Sequence, residues 1–482
     1  MQPKLELLDG ELLEKILGEA YTLLAEPGIR VQAADAVELL SAAGARIENG
    51  VARIPEALVR RALSSAPREF FLHNRAGEPA VRYGGDAVHF DPGSSCVHIL
   101  DPQTMQHRMT RTADLERLVQ VAEMLPQYTA QSTAVVCNDA PQEIGDLWRL
   151  HVVLRHSGKP VVTGAFSAHT APAMIDLLAA DCGGRAALKA RPRAIFDVCP
   201  SPPLNWSDFA AQNLVDLARA GVPAEIISVP MAGATAPVTL AGAVVQHAAE
   251  CLAGIVIHQL AQPGAPVVWG GAPAIFDMRT GITPMGAIET AMLNAACSQI
   301  GKHFGLPTHG YLGGSDAKIL DAQAGMETSS AVLLGALAGI NMISGAGMLD
   351  SLACHSAEKL ALDAEAIAAA QRVLQGISPR GDSLATAMFA QAGFAGEFLK
   401  LPETRRLFRT EQHLPSHLID RGTLHSWEQG GSQDLFARAR ARVNELVAAY
   451  KRPELPKQIE SEWKAILQEQ ARRAGSQQAA GL

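Results

Sequence analysis

A (β/α)8 barrel, with a small α+β segment ahead of it and a helical extension behind, is the fold class this sequence predicts. Short apolar, strand-like segments recur at 131–137, 160–164, 193–199, 224–229, 266–270, 306–311 and 339–345. They stand roughly 30 to 40 residues apart, enough for one strand and one crossover helix. Helical patterns fill the gaps, as at 207–220, 241–262 and 288–304, so the strands are predicted to run parallel with both faces covered. No GxGxxG or GxxxxGK[S/T] loop follows a strand, which argues against an open, doubly wound nucleotide-binding sheet.

The elements follow in order. Residues 1–85 read as the α+β appendage, with helices over 9–25 and 33–43, β-like pieces at 28–31 and 45–54, and a hairpin turn at Asn49-Gly50. The run VHFD at 88–91 supplies a candidate eighth strand, so the barrel is predicted to span 86–375. From 376 to 482 the chain is helical and charged and is read as an extension packed on the barrel. Within it, 458–473 reads as an exposed helix and 474–482 as a frayed tail.

Composition narrows the class of function. The 482 residues are 48% hydrophobic and 19% charged, ample for a large core. The net charge of -8 comes from acids and bases mixed along the chain, so neither nucleic acid nor an anionic membrane is a predicted partner. The first twenty residues are too charged for a signal peptide, and the longest apolar run, 331–343, is broken by glycines. Seven scattered cysteines without a CxxC fit a reducing, cytoplasmic setting. His247 and Cys251 have zinc-like i, i+4 spacing but fall mid-helix with no third ligand, so no metal is predicted. No GxSxG is present.

In such barrels chemistry sits at the C-terminal ends of the strands. Those ends here are small and largely neutral, rich in glycine, alanine, serine and proline. Small residues let a flat, bulky group approach the backbone, and they also serve simply as tight βα turns. The richest polar cluster is 313–325, where Asp321 and Gln323 either cap the next helix or face the cavity. The stretch after 345 carries His355 and Glu358 at i, i+3.

Several segments, in collinear order, resemble the trimethylamine methyltransferase family. They are EPGIRVQAADAVELLSAAGARI (26–47), FDPGSS (90–95), GKPVVTG (158–164), CPSPPL (199–204), GGSDAKILDAQAGMETS (313–329), AGINMISGAGMLDS (338–351), GEFLKLPETRRLFRTE (396–411) and LIDR (418–421). The resemblance implies a barrel enzyme that moves a methyl group from a small methylated amine to a corrinoid (cobalamin) carried by a cognate corrinoid protein. Members acting on trimethylamine carry pyrrolysine. This chain has none, and Lys318 is an ordinary lysine. The implied donor is therefore a quaternary amine such as glycine betaine, proline betaine or carnitine. A quaternary ammonium leaves as a neutral amine, so the protein needs mainly to position and desolvate it.

Roles are assigned on that footing. A quaternary ammonium calls for aromatic faces, and with aromatics at only 5% of the chain, those near strand ends stand out: Phe166, Trp206, Phe209, Trp269 and Tyr311. Asn205, His309 and Gln323 complete the expected substrate set. His355 and Asp316 are the catalytic candidates, and Gly313, Gly314, Gly345 and Gly347 the expected corrinoid rim. Two other readings stand beside this one. One is a barrel lyase or hydrolase of a small carboxylate, with Asp316 or Asp321 and Lys318 as acid and base; the other is a non-catalytic binder of methylated ammonium compounds. A homo-oligomer is expected, with the apolar helices 331–338 and 357–370 either core or interface.

Overall fold

The computed structural model describes residues 2–166 and 170–476. The chain is mixed α/β. Its central strands are β1 (His89–Pro92), β2 (Gln131–Ser132), β3 (Val161–Gly164), β4 (Ala194–Val198), β5 (Ala224–Ser228), β6 (Val267–Gly271), β7 (His309–Tyr311) and β8 (Met342–Ala346). Parallel ladders join β2 through β6 in sequence, and likewise β7 to β8 and β8 to β1. A parallel bridge between Trp269 and Thr308 links β6 to β7. On the last side the Thr129 N–H donates to Phe90 O at 3.1 Å, and a parallel bridge joins Cys96 to Val135. The pairings thus run in a ring, and 88–91, the weakest of the predicted strands, is the piece that closes it.

A long helix follows each strand: α1 (Thr112–Met124), α2 (Gly145–His156), α3 (Thr170–Cys182), α4 (Asp208–Ala220), α5 (Leu240–Ala261), α6 (Ile288–His303), α7 (Ala322–Leu337) and α8 (Ala357–Leu374), with a short extra helix Arg185–Ala190 after α3. Their limits follow from local chemistry. Thr239, Asp321 and Ser356 cap α5, α7 and α8 through their side-chain oxygens, and Gly221 (φ 70°) ends α4 in the left-handed region. Among the described helices α5 alone is long and apolar enough to cross a membrane, and it is largely buried inside the protein.

The N-terminal sheet is built on a hairpin, Arg46–Glu48 with Val51–Arg53, turned by Asn49 (φ 52°) and Gly50 (φ 75°). Its strand Ile29–Val31 pairs antiparallel with Val51–Arg53 and parallel with Asn205–Trp206, a short strand after β4. The helix Gly10–Ala25 packs on α5, so residues 1–85 share one hydrophobic core with the ring. A second hairpin, Phe70–His73 with Pro79–Tyr83, closes the N-terminal end of the ring: Leu72, Val81 and Tyr83 pack with Ala130, Val162, Ile195, Val268 and Met342.

Behind the ring, Leu435–Ala449 packs on α8 and α1. The helix Lys457–Arg473 is not simply exposed, as its charge suggested. Trp463, Leu467 and Ala471, at i, i+4 and i+8, form a stripe buried on α3, and the Trp463 indole donates to Leu177 O at 3.0 Å. Between α8 and Leu435, the helices Thr386–Ala392, Pro402–Glu411 and Leu424–Gln429 bury no residue.

Candidate functional site

Side chains alternate along a strand, so every second residue of the ring points inward. Above the floor of Val162, Ile195, Val268 and Met342, the inward positions are strongly polar. Asp197 and Glu225 are directly paired on β4 and β5, and Asp91 and His309 come from β1 and β7. Tyr83 reaches up from the floor and donates to Glu225 Oε1 at 2.5 Å. Ser344 donates to Asp91 Oδ1 at 2.5 Å, and His309 Nε2 lies 2.9 Å from Ser344 Oγ. With the Ser344 proton directed at Asp91, Ser344 Oγ accepts from Nε2–H, which leaves Nδ1 of His309 as a bare acceptor. Higher up, Ile227, Ala272, Ala274 and Met285, with Cys199, Val229, Tyr311 and Leu352 against them, make an apolar throat. Gly270 has no room for a side chain: a Cβ there would lie 2.9 Å from Ile226 O and 3.2 Å from His309 Cβ.

Four buried atoms of this layer, Asp91 Oδ2, Asp197 Oδ1, Glu225 Oε2 and His309 Nδ1, lack a hydrogen-bond partner while the acids are ionised; with a proton on one of them, Asp197 and Glu225 bond each other. Orphaned buried polar atoms are costly, so such a cluster points to a ligand. Asp197 and Tyr311 are only half-buried, so the layer opens toward the throat. Burial pushes the Glu225 carboxyl well above the carboxylate range, with the neighbouring Asp197 adding to it. Burial likewise raises Asp91, and it lifts Asp197 to about 7. It lowers His309 to about 3, so the imidazole is neutral. Burial thus favours the neutral forms of these carboxyls, and a cation beside them would favour the ionised ones.

Around the mouth, Asp316 ties three loops together. Its two oxygens accept from Met285 N at 2.8 Å and Gly286 N at 3.0 Å, and Ser351 Oγ donates to it at 2.8 Å. Its own turn is held by Glu327, which accepts from Ser315 Oγ at 2.5 Å and Asp316 N at 2.8 Å. Asp316, expected to be catalytic, thus has its acceptor sites engaged in holding loops. Gln323 bonds Glu327 Oε1 at 2.8 Å on the outer surface, and Asp321 is the cap of α7. The glycines expected to cradle a corrinoid are filled by the protein itself. A Cβ at Gly313 would sit 2.4 Å from Ala346 N, one at Gly314 2.6 Å from Leu352 Cδ2, and one at Gly345 3.0 Å from Gly313 N. Gly347 (φ 84°) lies directly on His355, whose ring a Cβ would meet at 2.2 Å. Beneath these turns the fully buried Lys359 bonds Asp363 at 2.6 Å, Thr328 at 2.8 Å and Gly313 O at 3.2 Å, while Asp363 accepts from Gly347 N at 2.7 Å.

The remaining expected residues divide between the mouth and the wall. Tyr311 faces the throat, its hydroxyl accepting from Ser94 N at 2.7 Å, and its ring meets His309 edge-on. Phe166 leans over β3, its ring 3.3 Å from the Cβ position of Gly164, with Arg149 on it at 5.4 Å. Trp269 points outward and donates to Cys297 O at 2.9 Å. Trp206 is fully buried against Gly254 of α5, Asn205 pairs with Arg30 of the N-terminal sheet, and Phe209 is half-exposed on the first turn of α4. His355 is fully buried with both ring nitrogens unpartnered, and burial together with Lys359 lowers it to about 3. The expected aromatic box therefore reduces to Tyr311 and Phe166. The sequence reading did not single out the candidates Asp91, Asp197 and Glu225. Their signal was present as single acids inside otherwise apolar strands: VHFD, AIFDV and AEIIS.

Comparison with known proteins agrees with this architecture. The family model described as trimethylamine methyltransferase matches residues 1–475. The trimethylamine methyltransferase MttB of Desulfitobacterium hafniense is 31% identical over 461 residues, covering 95% of this chain and 92% of that one. The glycine betaine methyltransferase of the same species, strain Y51, is 29% identical and covers 98% and 99%. The solved monomethylamine methyltransferase MtmB of Methanosarcina barkeri superposes with a TM-score of 0.50 at 12% identity, covering 92% of this chain and 89% of that one, a likeness of fold. This chain belongs to the trimethylamine methyltransferase family.

Proposed function

We propose that this protein is a (β/α)8-barrel methyltransferase that takes a methyl group from a quaternary ammonium compound and delivers it to the reduced cobalt of a corrinoid held by a partner protein. The observation that carries the reading is the buried acidic layer, with its orphaned carboxylate oxygens below an apolar throat. Carboxylates offset the fixed positive charge of a quaternary ammonium, and the throat accommodates methyl groups. Family membership supports methyl transfer, and the absence of pyrrolysine from the sequence supports a donor that needs no activation of its leaving group. Reduced cobalt of the partner's corrinoid would supply the nucleophile, and the neutral amine would leave. The chain's own part is to seat the cation in the lumen, exclude water and leave one methyl facing the mouth. On this reading Phe166 and Tyr311 flank that methyl, and a corrinoid protein would meet the loops tied by Asp316 and Lys359.

The apolar side chains exposed at Ile377, Leu384, Phe389, Phe394 and Leu399 support association into a homo-oligomer. The reaction is tested by mixing the purified protein with reduced cobalamin and a panel of methylated amines and following methylcobalamin absorbance. Methyl transfer from a quaternary ammonium, and none from trimethylamine, is expected. Binding of those compounds without any transfer would leave a binder in place of an enzyme.

A further inference from the structure

The loop after β8 carries Asp350 (φ 52°), Ser351 (φ 51°) and Leu352 (φ 75°), three consecutive non-glycine residues in the left-handed region. Among the described residues no other two adjacent non-glycine residues lie there. Each such residue is strained by its Cβ, and a run of them persists only where the surroundings over-determine it. Those surroundings are the 315–318 turn: Asp350 N donates to Ala317 O at 2.9 Å, Ser351 N to Ser315 O at 3.2 Å, and the Asp350 carboxylate pairs with Lys318 at 2.8 Å. The strained turn delivers the Leu352 side chain to the apolar throat, against Ile227, Ala272, Ala274 and Met285. Gly314 seats it without slack, since a Cβ there would lie 2.6 Å from Leu352 Cδ2, and Leu352 O accepts from Cys96 Sγ at 3.3 Å. Met285 reaches the same cluster from the loop after β6, so the two side chains bracket the β7 tip that carries Tyr311. One oxygen ties both loops: Asp316 Oδ1 accepts from Met285 N and from Ser351 Oγ, each at 2.8 Å. The throat they complete is narrow, with Ile227, Ala272, Ala274 and Met285 at most 7% exposed.

We propose that Leu352 and Met285 determine by size which ammonium compounds this protein accepts. They admit a trimethylammonium head group and exclude a triethylammonium one, and Ser351 and Asp316 are the residues that position them. This rests on the quaternary-ammonium reading above and selects within it. Strain in the turn costs stability, and an ordinary turn could connect β8 to the hairpin that follows; what the left-handed run provides is the fixed place of Leu352. Discrimination of this kind works through steric overlap, because burying extra methylenes would by itself favour the larger cation. A preference for the smaller cation therefore reads the steric limit directly. Leu352→Ala opens the throat on the β8 side. Ser351→Gly relieves the left-handed strain and cuts only the tie to Asp316.

Calorimetric titration of the whole protein with tetramethylammonium and with tetraethylammonium tests this. The parent should bind tetramethylammonium about tenfold more tightly or better, the discrimination that a methylene gives in an apolar site. Leu352→Ala should bring the two cations to within about threefold of each other, chiefly through tighter binding of the larger one. Met285→Ala should shift the ratio the same way, and it carries the test should Leu352→Ala fold poorly. Ser351→Gly should melt within about 2 °C of the parent and yet narrow the ratio, a combination that a purely structural turn does not give. Tetraethylammonium binding to the parent as tightly as tetramethylammonium overturns the inference, as does an unchanged ratio in both alanine variants with native circular dichroism; the quaternary-ammonium reading survives either result. An unchanged ratio in Ser351→Gly overturns its positioning role. Binding of neither cation, with no methyl transfer from any quaternary ammonium, overturns that reading and this inference with it.

Discussion

Replacing Lys359 with methionine tests how the mouth of the ring is held. Lys359 is fully buried, and its ammonium has three partners: the Asp363 carboxylate, Thr328 Oγ1 and the Gly313 carbonyl. Methionine fills much the same volume, so the loss is electrostatic rather than a cavity. Asp363 is left buried and uncompensated, for which about 3–5 kcal/mol is the typical cost. At an unfolding entropy of about 2.1 cal/mol/K per residue, a chain of 482 residues shifts about 1 °C per kcal/mol, so the calorimetric midpoint should fall by about 3–5 °C. Adding Asp363→Leu removes the stranded charge but also the acceptor of Gly347 N–H, a loss of about 1–3 kcal/mol. The double variant should therefore be less destabilised than the sum of the two single ones, with a coupling of about 1 kcal/mol or more. If Lys359→Met melts within 1 °C of the parent, the ion pair does not hold the turns and the reasoning fails.

The other predictions are shorter. Gly347→Ala places a Cβ at a positive φ and into the His355 ring, so it should destabilise by about 2 kcal/mol or more in the same calorimetry; a further His355→Ala change should recover part of that by making room. In Asp197 and Glu225 the folded-state pKa is raised above the unfolded value, so the folded protein keeps protons that the unfolded chain sheds from about pH 4 upward. Their contribution to stability thus falls as pH rises, for Asp197 up to its folded value of about 7, and the midpoint of Asp197→Asn relative to the parent should climb between pH 5 and pH 8; a constant difference would contradict this. Trp269→Phe loses one hydrogen bond on the outer wall, worth about 1 kcal/mol, and should leave methyl transfer unchanged, whereas Tyr311→Ala should slow it. Phe394→Ser should lower the sedimentation coefficient of any oligomer without changing the monomer's circular dichroism.

The repeat of apolar strands and amphipathic helices could be read directly, because a strand buried on both faces has to be apolar along nearly its whole length and a parallel neighbour requires a crossover helix of matching length. The weak strand at 88–91 was legible only through the count of eight. Asp321 was legible only as either a helix cap or a cavity residue, and the structure makes it the cap of α7. The burial of Lys457–Arg473 was underestimated, because its charged residues mask a narrow Trp463–Leu467–Ala471 stripe.

Within the candidate site the sequence identified the ends of the strands but not the direction of the side chains. Trp269 and Gly270 are neighbours, yet one packs outward under α6 and the other lines the lumen; period-two alternation decides this, and its phase is set by how the ring closes. Asn205 and Trp206 sit after a strand, but they pair with Ile29–Val31, a partner distant in sequence. The strand order and membership of the family were legible in the sequence alone. That Asp91 stands in the same layer as Asp197 and Glu225, more than a hundred residues further along the chain, was decided by tertiary structure, because only ring closure brings the inward positions of β1 around one axis with those of β4 and β5.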